Sequence, residues 1–93
     1  DAGMIFVYHR EHVMGFWMKN TWIPLDILFL DSTGRVVSIK PLKPRDEKTV
    51  SSDKPAQYAI ELNQGMAAKA AIAVGDRIHL PTEVTGVEPF TQP

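Results

Sequence analysis

Apolar residues in this chain fall into short runs with a period of two, the spacing of strands packed on one or both faces. Met4-Ile5-Phe6-Val7-Tyr8 is a β-prone run and predicts a first strand. His9-Arg10-Glu11-His12 reads as a polar connection, and residues 13–19 as a second strand. Alternation places Met14, Phe16 and Met18 on one face of that strand and Gly15, Trp17 and Lys19 on the other. Asn20-Thr21 opens a connection, and Pro24 limits where a ladder can resume. Residues 25–30 carry the strongest strand pattern. Leu25, Ile27 and Phe29 point one way, Asp26, Leu28 and Leu30 the other. Both faces are mainly apolar, which predicts a central strand covered on both sides. Asp31-Ser32-Thr33-Gly34 is a turn signal, and residues 35–40 return as the antiparallel partner.

Residues 41–55 hold three prolines, three lysines and three Ser/Thr among charges of both signs, a composition that predicts a long exposed loop or a lid. Residues 56–62 resume the strand pattern, with Tyr58, Ile60 and Leu62 facing inward. Asn63 is placed as a helix N-cap, Met66 to Ile72 as an Ala-rich helix, Gly75 as its terminator and residues 76–80 as a last strand. From Pro81 onward three prolines and weak periodicity indicate an edge strand or a loosely docked tail. The expected fold is mainly β: a small antiparallel barrel or sandwich with one short α-helix near residues 64–73. Residues 1–80 form one domain and 81–93 the tail.

Length and composition narrow the function classes. At 93 residues the chain fits one domain with a modest core. A net charge of −1 offers no electrostatic footprint for nucleic acid. Without cysteine there is no disulfide framework, thiol nucleophile or Cys-based zinc site. No apolar run approaches the roughly 18 residues of a membrane helix. The chain opens at Asp1 without an initiator Met, as a processed product or a fragment would.

The candidate site follows from the exceptions to the pattern. Asp26 interrupts a run that is otherwise apolar on both faces, so its carboxylate needs donors or a raised pKa. Holding the backbone of the 20–22 turn would be a purely structural use for it. Lys19 shares a face with Trp17, and if its strand neighbours that of Asp26 the two can pair. A lysine beside an indole can hold an anionic or carbonyl-bearing ligand, and a rim salt bridge is the plainer use. Trp17 and Trp22 flank the motif as interface anchors or as core filling, and Asn20 and Thr21 are ordinary turn formers. The candidate ligand-binding set is therefore Trp17, Lys19, Asn20, Thr21, Trp22 and Asp26. His9 and His12, in a His-x-x-His spacing, and His79 read as solvated side chains, with no metal site or cofactor expected. Neither a Gly-x-Ser-x-Gly elbow nor a phosphate-binding glycine loop is present.

Three stretches together carry a resemblance: Gly3-Met4-Ile5-Phe6-Val7-Tyr8, Phe16-Trp17-Met18-Lys19-Asn20-Thr21, and Ile23-Pro24-Leu25-Asp26-Ile27-Leu28-Phe29-Leu30-Asp31. With Tyr58-Ala59-Ile60-Glu61-Leu62 and Val74-Gly75-Asp76-Arg77-Ile78 they resemble the uncharacterised prokaryotic family called domain of unknown function 192, over about residues 3–80. The resemblance implies a compact, mainly β fold with a short helix, and no assigned activity, cofactor or substrate. Members often carry export signals, which implies a periplasmic or extracellular location. They usually have a further strand and short helix, with an Arg-Gly-Leu-Met-like motif, ahead of the Gly-Met segment. Lacking these, the chain is expected to be truncated, with a sheet edge open to self-association. The Gly75-Asp76-Arg77-Ile78 stretch also resembles the Gly-Asp turn of small β-barrels with interlocked hairpins, a likeness of fold alone.

Three functions remain in play. The first is a non-catalytic binding module that takes a small molecule, peptide or cell-envelope component in a Trp/Lys/Asp-lined pocket or groove. It is favoured because the motifs complete no catalytic constellation. The second is a hydrolase or lyase with Asp26 as base and Lys19 as electrostatic stabiliser. The third is a structural or assembly domain that docks a partner through its Trp-bearing face.

Overall fold

The computed structural model describes residues 4–16, 23–44 and 49–80. Its centre is β3 (Leu25–Leu30), in which Ile27, Leu28, Phe29 and Leu30 are wholly buried. Four large side chains in succession have no solvent side, so each face of this strand must be covered. Burying each contributes about 1.5–3 kcal/mol relative to exposure. β3 pairs antiparallel with β4 (Val36–Leu42) on one side and β6 (Ala56–Asn63) on the other. β1 (Met4–His12) adds to the far side of β6, giving the sheet order β1-β6-β3-β4. A two-stranded ladder of β2 (Gly15–Phe16) and β5 (Val50–Ser51) completes the described strands.

Register sorts the core into two layers. On one face Tyr8, Met14, Phe16, Ile27, Phe29, Leu42, Ala56 and Ala59 cluster under the β2–β5 ladder, with Val50 packed against them. On the other, Val7, Leu28, Leu30, Val36, Tyr58 and Ile60 meet Ala67 of the short helix α1 (Met66–Lys69) and the partly buried Ile72, Ile78 and Leu80. This is the expected mainly β antiparallel architecture with one short helix. Among the described residues the four-stranded sheet is not closed into a barrel, and the small barrel- or sandwich-like β fold fits.

Several local expectations are revised. His9-Arg10-Glu11-His12 is not a connection but the second half of β1, which continues past a register shift between Val7 and His12. Of the second strand, Val13 and Met14 precede β2 rather than belong to it, and residues 17–19 lie outside the described residues. Residues 41–55 are not all loop, since Pro41 and Leu42 end β4 and Val50–Ser51 form β5. Ser52, wholly buried, explains the second point: its hydroxyl accepts from the Met14 N–H at 3.0 Å and donates to the Lys54 carbonyl at 2.7 Å. Asn63 ends β6, and the helix N-cap is Gly65, which makes no side-chain cap. Residues 76–80 form no strand; a lone Arg35–Arg77 bridge stands in its place. The tail, 81–93, lies outside the described residues.

The 31–34 turn behaves as its residues require. One Asp31 carboxylate oxygen accepts the Thr33 N–H (2.9 Å), the Thr33 hydroxyl (2.6 Å) and the Arg35 N–H (3.0 Å). Burial pushes the Asp31 pKa up, but these bonds and the Arg35 charge outweigh it and hold the carboxyl below its usual range. Gly34 sits at φ 88°, and a Cβ built there would lie 2.5 Å from the Ile78 carbonyl oxygen. Gly75, at φ 99°, has open space around it. Gly75→Ala should therefore cost only the left-handed conformation, about 1–2 kcal/mol. Gly34→Ala should cost about 1–3 kcal/mol more, because it also disturbs the Ile78 N–H bond to the Gly34 carbonyl. Urea unfolding of both variants measures the difference, and equal losses would refute the close contact.

Candidate functional site

Alternation along β3 sends Asp26 to the helix-bearing face, level with Leu62 on β6 and Pro41 on β4. There one carboxylate oxygen accepts the Gly65 N–H at 2.9 Å. Gly65 precedes the helix, so Asp26 ties the helix start to the central strand. This is a structural use of the kind expected of a carboxylate in an apolar strand, made at the 64–65 turn.

Trp17, Lys19, Asn20, Thr21 and Trp22 lie outside the described residues. The described residues on either side of them are Phe16 and Ile23. Phe16 packs on the ladder-covered face, with its ring 5.3 Å from Phe6 and 5.8 Å from Phe29. The chain resumes at the exposed Ile23 and enters β3 at Leu25, which packs against the same cluster. The described part of β2, Gly15–Phe16, pairs with β5, and the expected Lys19–Asp26 pair falls on a residue outside the described ones. Asp26 faces the opposite side of the sheet from Phe16.

A different carboxylate occupies the Phe16 side. Glu61 of β6 stands between Met4 of β1 and Ile27 of β3, and Lys40 of β4 follows on the same row. The neighbouring rows on this face are Phe6, Ala59, Phe29 and Ser38 to one side and Asn63, Leu25 and Leu42 to the other. Glu61 is half-buried, and burial raises its pKa; among the described residues no donor or cation offsets that cost. Lys40 instead pairs with Asp53 at 2.6 Å. Tyr8 on the same face also titrates high, first through burial and second through the negative charge of Glu61. His12 sits edge-on to the Tyr8 ring at 4.9 Å and reaches the Arg10 carbonyl with Nδ1 at 3.2 Å. Among the described residues no three His, Cys, Asp or Glu side chains are grouped to hold a metal ion.

Sequence reasoning passed over Glu61 although the signal that marked Asp26 was present: a carboxylate within an apolar β run. What separates the two is the face each one takes. Asp26 meets a free N–H at a helix start, whereas Glu61 meets Met4, Ile27 and an aromatic cluster.

The fold and this face define a small antiparallel β domain with a half-buried carboxylate beside an aromatic core. Residues 1–80 match the family model DUF192, described as "Uncharacterized ACR", and the chain belongs to that family. It is similar to a crystal structure from Sinorhizobium meliloti 1021, described as a "putative transcription regulator". The two are 37% identical with a TM-score of 0.77, over 81% of this chain and 59% of that one. It is also similar to a protein of unknown function from Novosphingobium aromaticivorans DSM 12444. There the identity is 38% and the TM-score 0.78, over 84% of this chain and 56% of that one. The chain thus spans less than two thirds of either relative's length. No curated protein matches it.

The raised pKa of Glu61 makes a prediction about stability. Below the ordinary value of 4.5, Glu61 is protonated in both folded and unfolded chains. As pH rises, the unfolded chain ionises first, so stability is lost progressively until pH passes the folded pKa. Glu61→Gln should therefore raise the melting temperature at pH 7 by a few degrees, with the gain fading as pH falls through 4.5. A gain of equal size at both pH values would show that ionisation is not its source.

Proposed function

We propose that this domain is a non-catalytic binding module whose site lies on the ladder-covered face, around Glu61 and the 17–22 connection. The observation that carries this reading is the half-buried Glu61 carboxylate, whose burial no donor or cation among the described residues offsets. Directly opposite stands Met4, 58% exposed, so an acceptor and an apolar surface lie side by side. A ligand with an amine next to an apolar group satisfies both: it gives the carboxylate a charge-assisted hydrogen bond and covers the methionine. The ligand class is thus an amine-bearing small molecule, peptide or cell-envelope component. Trp17 and Trp22 bound the 17–22 connection in sequence and are suited to form an apolar wall for such a ligand. A periplasmic or extracellular setting belongs to the same proposal and rests on the family resemblance.

The enzyme reading has less support, because Asp26 already accepts a backbone N–H and faces away from the Phe16 end of the connection. Regulation of transcription, the description given to the Sinorhizobium relative, is not carried over: a net charge of −1 favours no nucleic-acid contact.

Both tryptophans of the chain, Trp17 and Trp22, lie in the 17–22 connection, so intrinsic fluorescence reports on it directly. Titrating phenethylamine into the wild type at pH 7 should give a saturable change. In Glu61→Gln the affinity should fall about tenfold, the worth of a hydrogen bond to a charged group. No saturable change in the wild type, or equal affinity in the variant, would remove Glu61 from the site.

A further inference from the structure

On the opposite end of the domain, the 31–34 turn and residues 77–80 enclose an open cleft of about 370 Å³. That lies within the roughly 300–1,000 Å³ of small-molecule sites. We infer that this cleft is a second binding site, for the carboxylate or phosphate group of a small molecule, with the Arg77 guanidinium as its principal contact.

The cleft owes its shape to Gly34. The turn approaches residues 77–80 so closely that only a residue without Cβ fits, and the Ile78 N–H donates to the Gly34 carbonyl at 2.8 Å. Among the described residues the lining is Ser32, Thr33, Gly34, Arg77, Ile78, His79 and Leu80, of which Arg77 and His79 are charged or ionisable.

The nearby carboxylates are already engaged by the fold. Asp31 accepts three donors of its own turn. Glu11 accepts the Ser32 N–H at 2.7 Å, and Asp76 accepts the Ala73 N–H at 2.9 Å. Arg35 is accounted for too: its charge acts on Asp31 and its guanidinium donates to the Gly75 carbonyl at 3.3 Å. Arg77 differs. It forms a bridge with Arg35, which sets two like charges opposite each other, and makes no ion pair among the described residues. Like charges directly opposed across a bridge are unfavourable. An oxyanion in the cleft would relieve that repulsion. The guanidinium fork matches two oxygens, and the Ser32 hydroxyl and the His79 ring can donate to others.

The test is a titration of inorganic phosphate and, separately, succinate into 15N-labelled full chain, followed by amide shifts. Wild type should show saturable shifts confined to Thr33, Gly34, Arg77 and Ile78. Arg77→Ala should weaken binding about tenfold, and Arg77→Lys should recover only part of it, because the ammonium keeps the charge and loses the fork. Arg10→Ala, on exposed β1, and Glu61→Gln should leave the binding unchanged, which separates this site from the one proposed above. The relative affinities of phosphate and succinate identify the preferred head group. Absent or non-saturable shifts, or equal binding by wild type and Arg77→Ala, would overturn the inference.

Discussion

Everything in this domain depends on the burial of one strand on both of its faces. Ile27, Leu28, Phe29 and Leu30 have no exposed surface, so β3 cannot rest on a single layer. β4 and β6 complete its hydrogen bonding, and each face must then be covered by something else. The β2–β5 ladder covers one with Phe16, Met14 and Val50; the helix and the chain that follows it cover the other with Ala67, Ile72, Ile78 and Leu80. The covers are short. Two residues form each strand of the ladder and four the helix, so tertiary packing holds them more than intrinsic propensity does.

Against that apolar framework, three acidic residues meet the cost of desolvation in different ways. Asp31 lies at a turn, where the backbone offers N–H groups, and its pKa is held low. Asp26 finds one such N–H at Gly65 and fastens the helix start to the sheet. Glu61 lies mid-sheet, between Met4 of β1 and Ile27 of β3, and its pKa is raised. The first two carboxylates are explained by the fold that surrounds them. The third is left with a raised pKa by its burial, the kind of perturbation that clusters at functional sites.

The 31–34 turn shows how the scaffold positions a loop. The Asp31 carboxylate gathers the donors of its own turn, and the Gly34 carbonyl accepts the Ile78 N–H, so the β3–β4 hairpin lies against residues 77–80 and shapes a cleft beside Arg77. Such an arrangement suits sites carried on loops and positioned by a scaffold.

The sequence by itself determined the elements whose signals are local. Period-two alternation identified β3, β4 and β6, and the Asp31-Ser32-Thr33-Gly34 turn was legible because a carboxylate and a glycine do their work within four residues. The family was legible too, from motifs spread along the chain. Only the tertiary structure decided what depends on partners distant in sequence. His9 to His12 belong to β1 because β6 offers a ladder past a register shift, which no local polarity announces. Ser52 is buried because it ties β5 to Met14, thirty-eight residues away. For the candidate site the division is sharpest. Asp26 and Glu61 look alike as carboxylates in apolar strands. Which one meets a waiting N–H, and which one is left to titrate upward, was decided by the helix packing on one face and the aromatic cluster on the other.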